Sequence, residues 1–204
     1  MITIVNYGSG NIKAIGNIYE RLKIPFKIAD YPEQIQGSEK IILPGVGAFD
    51  ETIAMLNDSG FRSILDHEAL VNMVPVLGIC VGMQILANKS EEGSLQGLGW
   101  INGNVKKIDS TLLNSKPKIP HLGWNSIKVA KVSKLFNNVE GEEGFYFLHT
   151  YYFECEDQAN ILSTTHYGKS FASSVNNKNI YGVQFHPEKS HQNGVNLLKN
   201  FASL

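Results

Sequence analysis

The segment Gly78-Ile79-Cys80-Val81-Gly82 sets a thiol between two glycines at the end of an apolar run. A cysteine placed between a buried strand and a helix has the form of a nucleophile elbow, with sulfur in place of the usual hydroxyl. Such a turn strains the backbone of the nucleophile, and flanking glycines let strand and helix pack closely around it. The following helix points its amide end at the sulfur, which favours thiolate over thiol. Taken alone, the pattern equally describes a small core cysteine. Tyr181-Gly182-Val183-Gln184-Phe185-His186-Pro187-Glu188 changes that balance, because here an apolar strand ends in a histidine with a carboxylate two residues on. An imidazole can take the proton of a thiol, and a carboxylate behind it fixes the ring tautomer and stabilises the imidazolium. Cys80, His186 and Glu188 are therefore the candidate catalytic set. A third segment, Leu43-Pro44-Gly45-Val46-Gly47-Ala48-Phe49, forms a glycine-bearing turn at the C-terminal edge of a predicted parallel strand, where ligands bind in such sheets. Attack on a carboxamide creates an oxyanion that needs backbone N–H donors, which glycines can expose. The same segment also reads as a plain tight turn.

Bringing these groups together requires a particular order of elements. The first half alternates predicted strands at 2–5, 26–29, 40–43 and 74–79 with helical spacing at 11–23, 49–57, 61–71 and 83–88. That alternation implies βαβ units and a mostly parallel central sheet flanked by helices. The second half is β-rich, with predicted strands at 101–108, 126–129, 145–153, 161–167, 171–175 and 180–185, and a closing helix at 195–201. The stretch 110–120 has the weakest structural signal. No repeat or linker divides the chain, so residues 1–204 are expected to form one domain.

Composition narrows the class of partner. Among 204 residues, 18 basic and 19 acidic side chains leave a net charge of −1, which offers no footprint for nucleic acid or an anionic membrane. The longest apolar run, 74–86, is interrupted by Pro75, Gly78, Gly82 and Gln84 and is too short to span a bilayer. With no signal peptide visible, the two cysteines read as free thiols of a cytoplasmic protein. The histidines lack compact ligand spacing, so neither a metal nor a cofactor is expected. His67, His166 and His191 read as surface residues, and Cys155 as packed in or near a strand.

The three segments together resemble the class I (triad) glutamine amidotransferase family. Further stretches extend the resemblance over nearly the whole chain: Asn6-Tyr7-Gly8-x-Gly10-Asn11, Cys80-x-Gly82-Met83-Gln84 with Ser90-Glu91-Glu92-Gly93, Pro120-His121-Leu122-Gly123-Trp124-Asn125, Tyr146-Phe147-x-His149-Thr150-Tyr151, and Gln184 to Ser190. The resemblance implies an α/β, flavodoxin-like fold with additional antiparallel strands in the C-terminal half. It also implies that L-glutamine is cleaved to glutamate and ammonia by Cys80, His186 and Glu188. Gly47 and Val81 would offer oxyanion amides, and Gly45, Gln84, Glu92, Thr150 and Tyr151 would hold glutamine. In the subgroup these stretches resemble most, the ammonia passes to a (β/α)8 barrel cyclase of histidine biosynthesis in a heterodimer, and Asn11, Leu122, Trp124 and Lys189 fall at that interface. There the Gly45-Val46-Gly47 strand rearranges, with the partner bound, before it donates. Core packing for Leu122 and Trp124, and a surface charge for Lys189, describe those residues equally well. Val81, Leu122 and the run His191-Gln192-Asn193 depart from the commoner residues, which leaves open a paralogue feeding a sugar amidotransferase in surface-polysaccharide assembly. A cysteine peptidase or redox-protective protein of related fold is a further alternative, against which Gln84 and Glu92 argue.

Overall fold

A computed structural model of the chain describes residues 1–113 and 118–204. The first half runs β1 (Ile2–Val5), α1 (Ile12–Arg21), β2 (Phe26–Ala29), β3 (Lys40–Gly45), α2 (Phe49–Asp58), α3 (Phe61–Asp66), β4 (Val76–Cys80) and α4 (Val81–Gln84). The second half runs β5 (Lys89–Ser90), β6 (Gly103–Lys107), β7 (His121–Asn125), β8 (Lys128–Val129), β9 (Phe145–His149), β10 (Tyr151–Cys155), β11 (Ile161–Tyr167), β12 (Lys169–Asn177), β13 (Ile180–Val183) and α5 (His191–Ala202). Strand order in the large sheet is β2-β1-β3-β4-β13-β12-β10-β6-β5, with β11 paired to β12 and β8 to β11. The first five of these strands are mutually parallel, while β12 and β10 run antiparallel to their neighbours. Parallel pairs need long crossovers, which the helices provide, whereas β12 and β13 are joined by a short turn and must be antiparallel. β7 and β9 form a separate two-stranded ribbon.

β1 and β4 are both fully buried; β4 is a continuous apolar run, and β1 is broken only by Thr3, whose hydroxyl is satisfied by Ser38 Oγ at 2.6 Å. The flanking helices bury one stripe each; in α1 it comprises Ile15, Gly16, Ile18 and Tyr19. Tyr19 also donates its hydroxyl to the Leu198 carbonyl on α5, which fastens the first helix to the last. The same apolar core continues into the antiparallel half, where the Phe145 and Phe185 rings stack at 3.8 Å. Each fully buried phenylalanine contributes on the order of 2–3 kcal/mol. No helix among the described residues is long and apolar enough to cross a membrane.

Several elements differ from the sequence expectation. The run 145–153 is two strands rather than one, with β9 in the ribbon, β10 in the large sheet and Thr150 at the passage between them. β7 is a strand the pattern did not indicate, because His, Gly and Asn are weak strand formers. The strand expected at 126–129 shrinks to Lys128–Val129. The helix expected at 83–88 is instead the single turn Val81–Gln84, starting directly after Cys80. Residues 61–71 divide into α3 and a π turn at His67–Val71, and α5 begins at His191 instead of Val195. Of the weakly signalled stretch 110–120, residues 110–112 form a 3₁₀ turn, and 114–117 lie outside the described residues.

Candidate active site

Strand register assembles the site. Gly45 of β3 pairs with Cys80 of β4, so the glycine turn and the thiol leave the sheet side by side. On the other flank of β4, Val183 pairs with Ile79, and the chain leaving β13 arrives at His186 beside the sulfur. The site thus lies at the C-terminal ends of three adjacent parallel strands.

Cys80 adopts φ 56° and ψ −113°. For a residue with a Cβ this conformation costs on the order of 1–3 kcal/mol and persists only where its surroundings enforce it. Three glycines do so. A Cβ on Gly82 would overlap the Leu43 carbonyl, one on Gly45 would overlap the Gly82 amide, and one on Gly78 would meet the Gly82 carbonyl oxygen at 2.5 Å. The helix behind the thiol has only four residues, so the field from its amide end is that of one turn rather than of a long helix.

His186 and Glu188 are both buried, and His186 Nδ1 lies 2.9 Å from Glu188 Oε1. Burial by itself would lower the imidazole pKa. Hydrogen bonding and charge from the Cys80 sulfur and the Glu188 carboxylate outweigh it and raise the group from 6.5 to about 10. The ring therefore carries a proton at neutral pH. Asn11 Nδ2 also donates to Glu188 Oε1 at 3.4 Å, and Glu188 Oε2 is buried without a hydrogen-bond partner among the described residues. The Cys80 sulfur lies 3.9 Å from the Leu148 carbonyl and accepts from Gln184 Nε2 at 3.8 Å.

A cavity of about 340 Å³ opens over the sulfur, lined by Cys80, His186, Gly47, Val81, Gln84, Glu92, Thr150, Tyr151 and Lys189 among others. The expected oxyanion residues Gly47 and Val81 therefore border the same space as the thiol. Of the five residues expected to hold glutamine, Gln84, Glu92, Thr150 and Tyr151 line it. Gly45 does not, because it is packed against the backbone of Gly82. Gln84 Nε2 is engaged by the Tyr151 carbonyl and by Gln184 Oε1, both at 3.0 Å, which leaves its oxygen to accept from a ligand. Glu92 Oε2 accepts from the Phe49 amide at 2.9 Å, tying the pocket to the first turn of α2.

The glycine turn is held from beneath. Ser9 Oγ accepts from the Val46 amide and donates to the Val46 carbonyl, both at 2.9 Å, and the Tyr7 hydroxyl donates to the Pro44 carbonyl. Ser9 was not singled out from the sequence, since a serine between two glycines carries no chemical signal of its own. Pro120, Leu148 and His149 also line the cavity, and none of them was given a role from the sequence. Among the residues expected at a partner interface, Leu122 and Trp124 are 56% and 47% exposed on the outer face of the ribbon. Lys189 differs in lining the cavity, with its Nζ 5.6 Å from the Tyr146 ring. His191 has a partner that the sequence did not disclose: its ring stacks on Trp124 at 5.0 Å. Cys155 is buried in β10, and burial pushes its thiol up to about 12.

The chain belongs to the glutamine amidotransferase class-I family, whose model matches residues 3–203. It is 50% identical, over the full length of both chains, to the imidazole glycerol phosphate synthase subunit HisH of Bdellovibrio bacteriovorus. The protein of the same name from Leptospira borgpetersenii is 48% identical, again over both full lengths. Among solved structures, a glutamine amidotransferase from Thermotoga maritima superposes with a TM-score of 0.66, covering 99% of this chain and 82% of that one at 16% identity, a likeness of fold.

Proposed function

We propose that the chain hydrolyses L-glutamine and supplies the ammonia to a synthase partner, as the glutaminase subunit of an imidazole glycerol phosphate synthase. The observation that carries this reading is the His186–Glu188 pair, coupled to Cys80 at the edge of a cavity lined by Gln84 and Glu92. Cys80 Sγ attacks the side-chain carbonyl carbon of glutamine. The C–N bond then breaks as His186 gives its proton to the departing nitrogen, yielding ammonia and a glutamyl thioester. His186, now neutral, takes a proton from water. The hydroxide adds to the thioester and the C–S bond breaks, releasing glutamate and freeing the Cys80 sulfur beside His186 for the next cycle. Glu188 keeps the ring oriented and charged in both halves.

Backbone amides of Gly47 and Val81 receive the oxyanion, and Gly47, at φ 102° and uncrowded by backbone, gives that turn its freedom to adjust. With the Val46 amide already bonded to Ser9, donation from this turn depends on how the strand sits when a partner is bound. Gln84 accepts from the substrate, and Glu92, Thr150 and Tyr151 complete its seat. The acceptor of ammonia is a (β/α)8 barrel cyclase docked over Leu122, Trp124, Lys189 and Asn11, in a cytoplasmic heterodimer of histidine biosynthesis. Relatives at 48% and 50% identity that carry the synthase name support this acceptor over a sugar amidotransferase.

The test is Cys80→Ala assayed in the assembled complex. Glutamine hydrolysis is expected to vanish while ammonia-supported synthesis by the partner persists. Residual hydrolysis would remove Cys80 from the mechanism, and recovery of a sugar amidotransferase in place of a barrel cyclase from native extract would change the product.

A further inference from the structure

The ribbon β7–β9 has two faces of opposite character. Period-two alternation turns Leu122 and Trp124 outward, where Leu122 pairs with Leu148 and Trp124 with Tyr146 across the strands. The same alternation turns His121 and Asn125 inward, where His121 pairs with His149. Both imidazoles are buried, and neither has a part in the chemistry described above.

Their hydrogen bonds leave no freedom of direction. The Tyr151 carbonyl can only accept, so His149 Nδ1, at 2.8 Å, carries the proton. A neutral His149 then has a lone pair on Nε2, which accepts from His121 Nδ1 at 2.9 Å. His121 Nε2 is in turn an acceptor, supplied by Asn125 Nδ2 at 3.1 Å, and that amide also donates to the His166 carbonyl at 3.1 Å. Tyr151 uses its carbonyl a second time, accepting from Gln84 Nε2. This fixes the orientation of Gln84, which must present its remaining N–H to Gln184 Oε1. Gln184, fully buried, is thereby obliged to aim Nε2 at the Cys80 sulfur. The His121 ring is also clamped between Phe147 at 4.7 Å and Tyr167 at 4.1 Å, both nearly parallel to it.

We propose that His121, His149 and Gln184 are positioning residues for glutamine hydrolysis, joining the inner face of the ribbon to the nucleophile through the Tyr151 carbonyl and Gln84. The proposal rests on the glutaminase reading and adds to it a route by which a partner seated on Leu122 and Trp124 bears on the sulfur. A displacement of β7 moves His121, which carries His149 and the Tyr151 peptide with it. The Gln84 amide follows that peptide, and Gln184 follows Gln84. Burial holds both rings in the uncharged form the network requires, lowering His121 to about 4 and His149 to about 3. The chain is intact at neutral pH.

The test combines three measurements on the full chain. Histidine ¹⁵N spectra of the wild type are expected to show His121 and His149 neutral and protonated on Nδ1; an Nε2–H tautomer at either ring would overturn the proposal without any substitution. Alkylation of Cys80 by iodoacetamide at pH 7, in a Cys155→Ser background, is expected to slow about tenfold in Gln184→Met and in His121→Leu, equivalent to about one pH unit in thiolate availability. His121→Asn, which restores a donor toward His149, is expected to recover most of that rate. Unchanged alkylation in a folded Gln184→Met or His121→Leu chain would equally refute it. With the synthase partner present, Gln184→Met should lower kcat about as much as the alkylation rate and leave KM for glutamine within about twofold. A wild-type complex that does not hydrolyse glutamine would defeat the glutaminase reading instead, and the spectra and alkylation rates would still decide the positioning role.

Discussion

His186 and the pair His121–His149 are buried to nearly the same degree, at 3%, 3% and 6% exposure, yet they titrate at opposite ends of the accessible range. His186 is raised to about 10, and the other two fall to about 4 and 3. Loss of water penalises the charged ring in all three places. The difference is in what replaces the water. His186 has a carboxylate on one side and a sulfur able to carry negative charge on the other, whereas His121 and His149 have each other, a carbonyl, an amide and aromatic faces. One site stores a proton to give away. The other is built so that protons stay where they are, and its hydrogen bonds serve as fixed struts.

Removing the charged partner should break this contrast most visibly. Glu188→Gln keeps the shape of the side chain but takes away the negative charge, so the His186 pKa should drop from about 10 and kcat for glutamine should fall by about 10²–10⁴. Steady-state kinetics and an NMR titration of the ring check both effects. An unaltered His186 pKa in this variant would mean that the sulfur alone sustains the charge.

Acid should act next, on the neutral pair. Both rings have folded pKa values below the unfolded 6.5, so the unfolded state binds more protons and stability is lost as pH falls from 6.5 through about 4 and on toward about 3. Each unit of depression corresponds to about 1.4 kcal/mol once pH lies below both values, giving a loss on the order of several kcal/mol for the pair. Urea unfolding at pH 7, 5.5 and 4 measures it, and His121→Leu should flatten the dependence.

Alkali should act in the opposite sense on His186. Its folded pKa exceeds 6.5, so bound protons stabilise the fold fully below pH 6.5, and that contribution fades as pH rises through about 10. The melting temperature of wild type relative to His186→Asn is therefore expected to decline between pH 7 and 10. The smallest effect comes from transplanting the carboxylate. Asn125→Asp gives His121 the kind of neighbour that His186 has, and should raise its pKa by about one to two units.

The juxtaposition of the candidate catalytic set was legible because its residues are chemically scarce and sit at strand ends: a glycine-flanked cysteine and a histidine two residues before a carboxylate. The parallel half of the fold was legible for a related reason, since strands buried on both faces write themselves as unbroken apolar runs. The antiparallel half was less so. Phe145 to Phe153 reads as one β-prone run, and only tertiary pairing on either side of Thr150 sends its two halves to different sheets. β7 is held by cross-strand partners rather than by its own propensity, so His121-Leu122-Gly123-Trp124-Asn125 carries no strand pattern. The inner histidines stand within segments of the family resemblance but carried no role of their own. A lone histidine in sequence reveals neither its tautomer nor the carbonyl it faces. Gly45 packs on the Gly82 backbone and does not border the cavity, and a glycine needed for packing and a glycine needed for donation look alike in sequence.

The interlocked glycines at positions 45, 78 and 82 restrict how this protein can diversify. A single methyl group at any of them would collide with backbone atoms, so inherited variation in the floor beneath the sulfur has almost nowhere to go. New amide preferences would have to be written into the walls, at positions such as Thr150 and Glu92, while the thiol's seat passes unchanged from one descendant to the next.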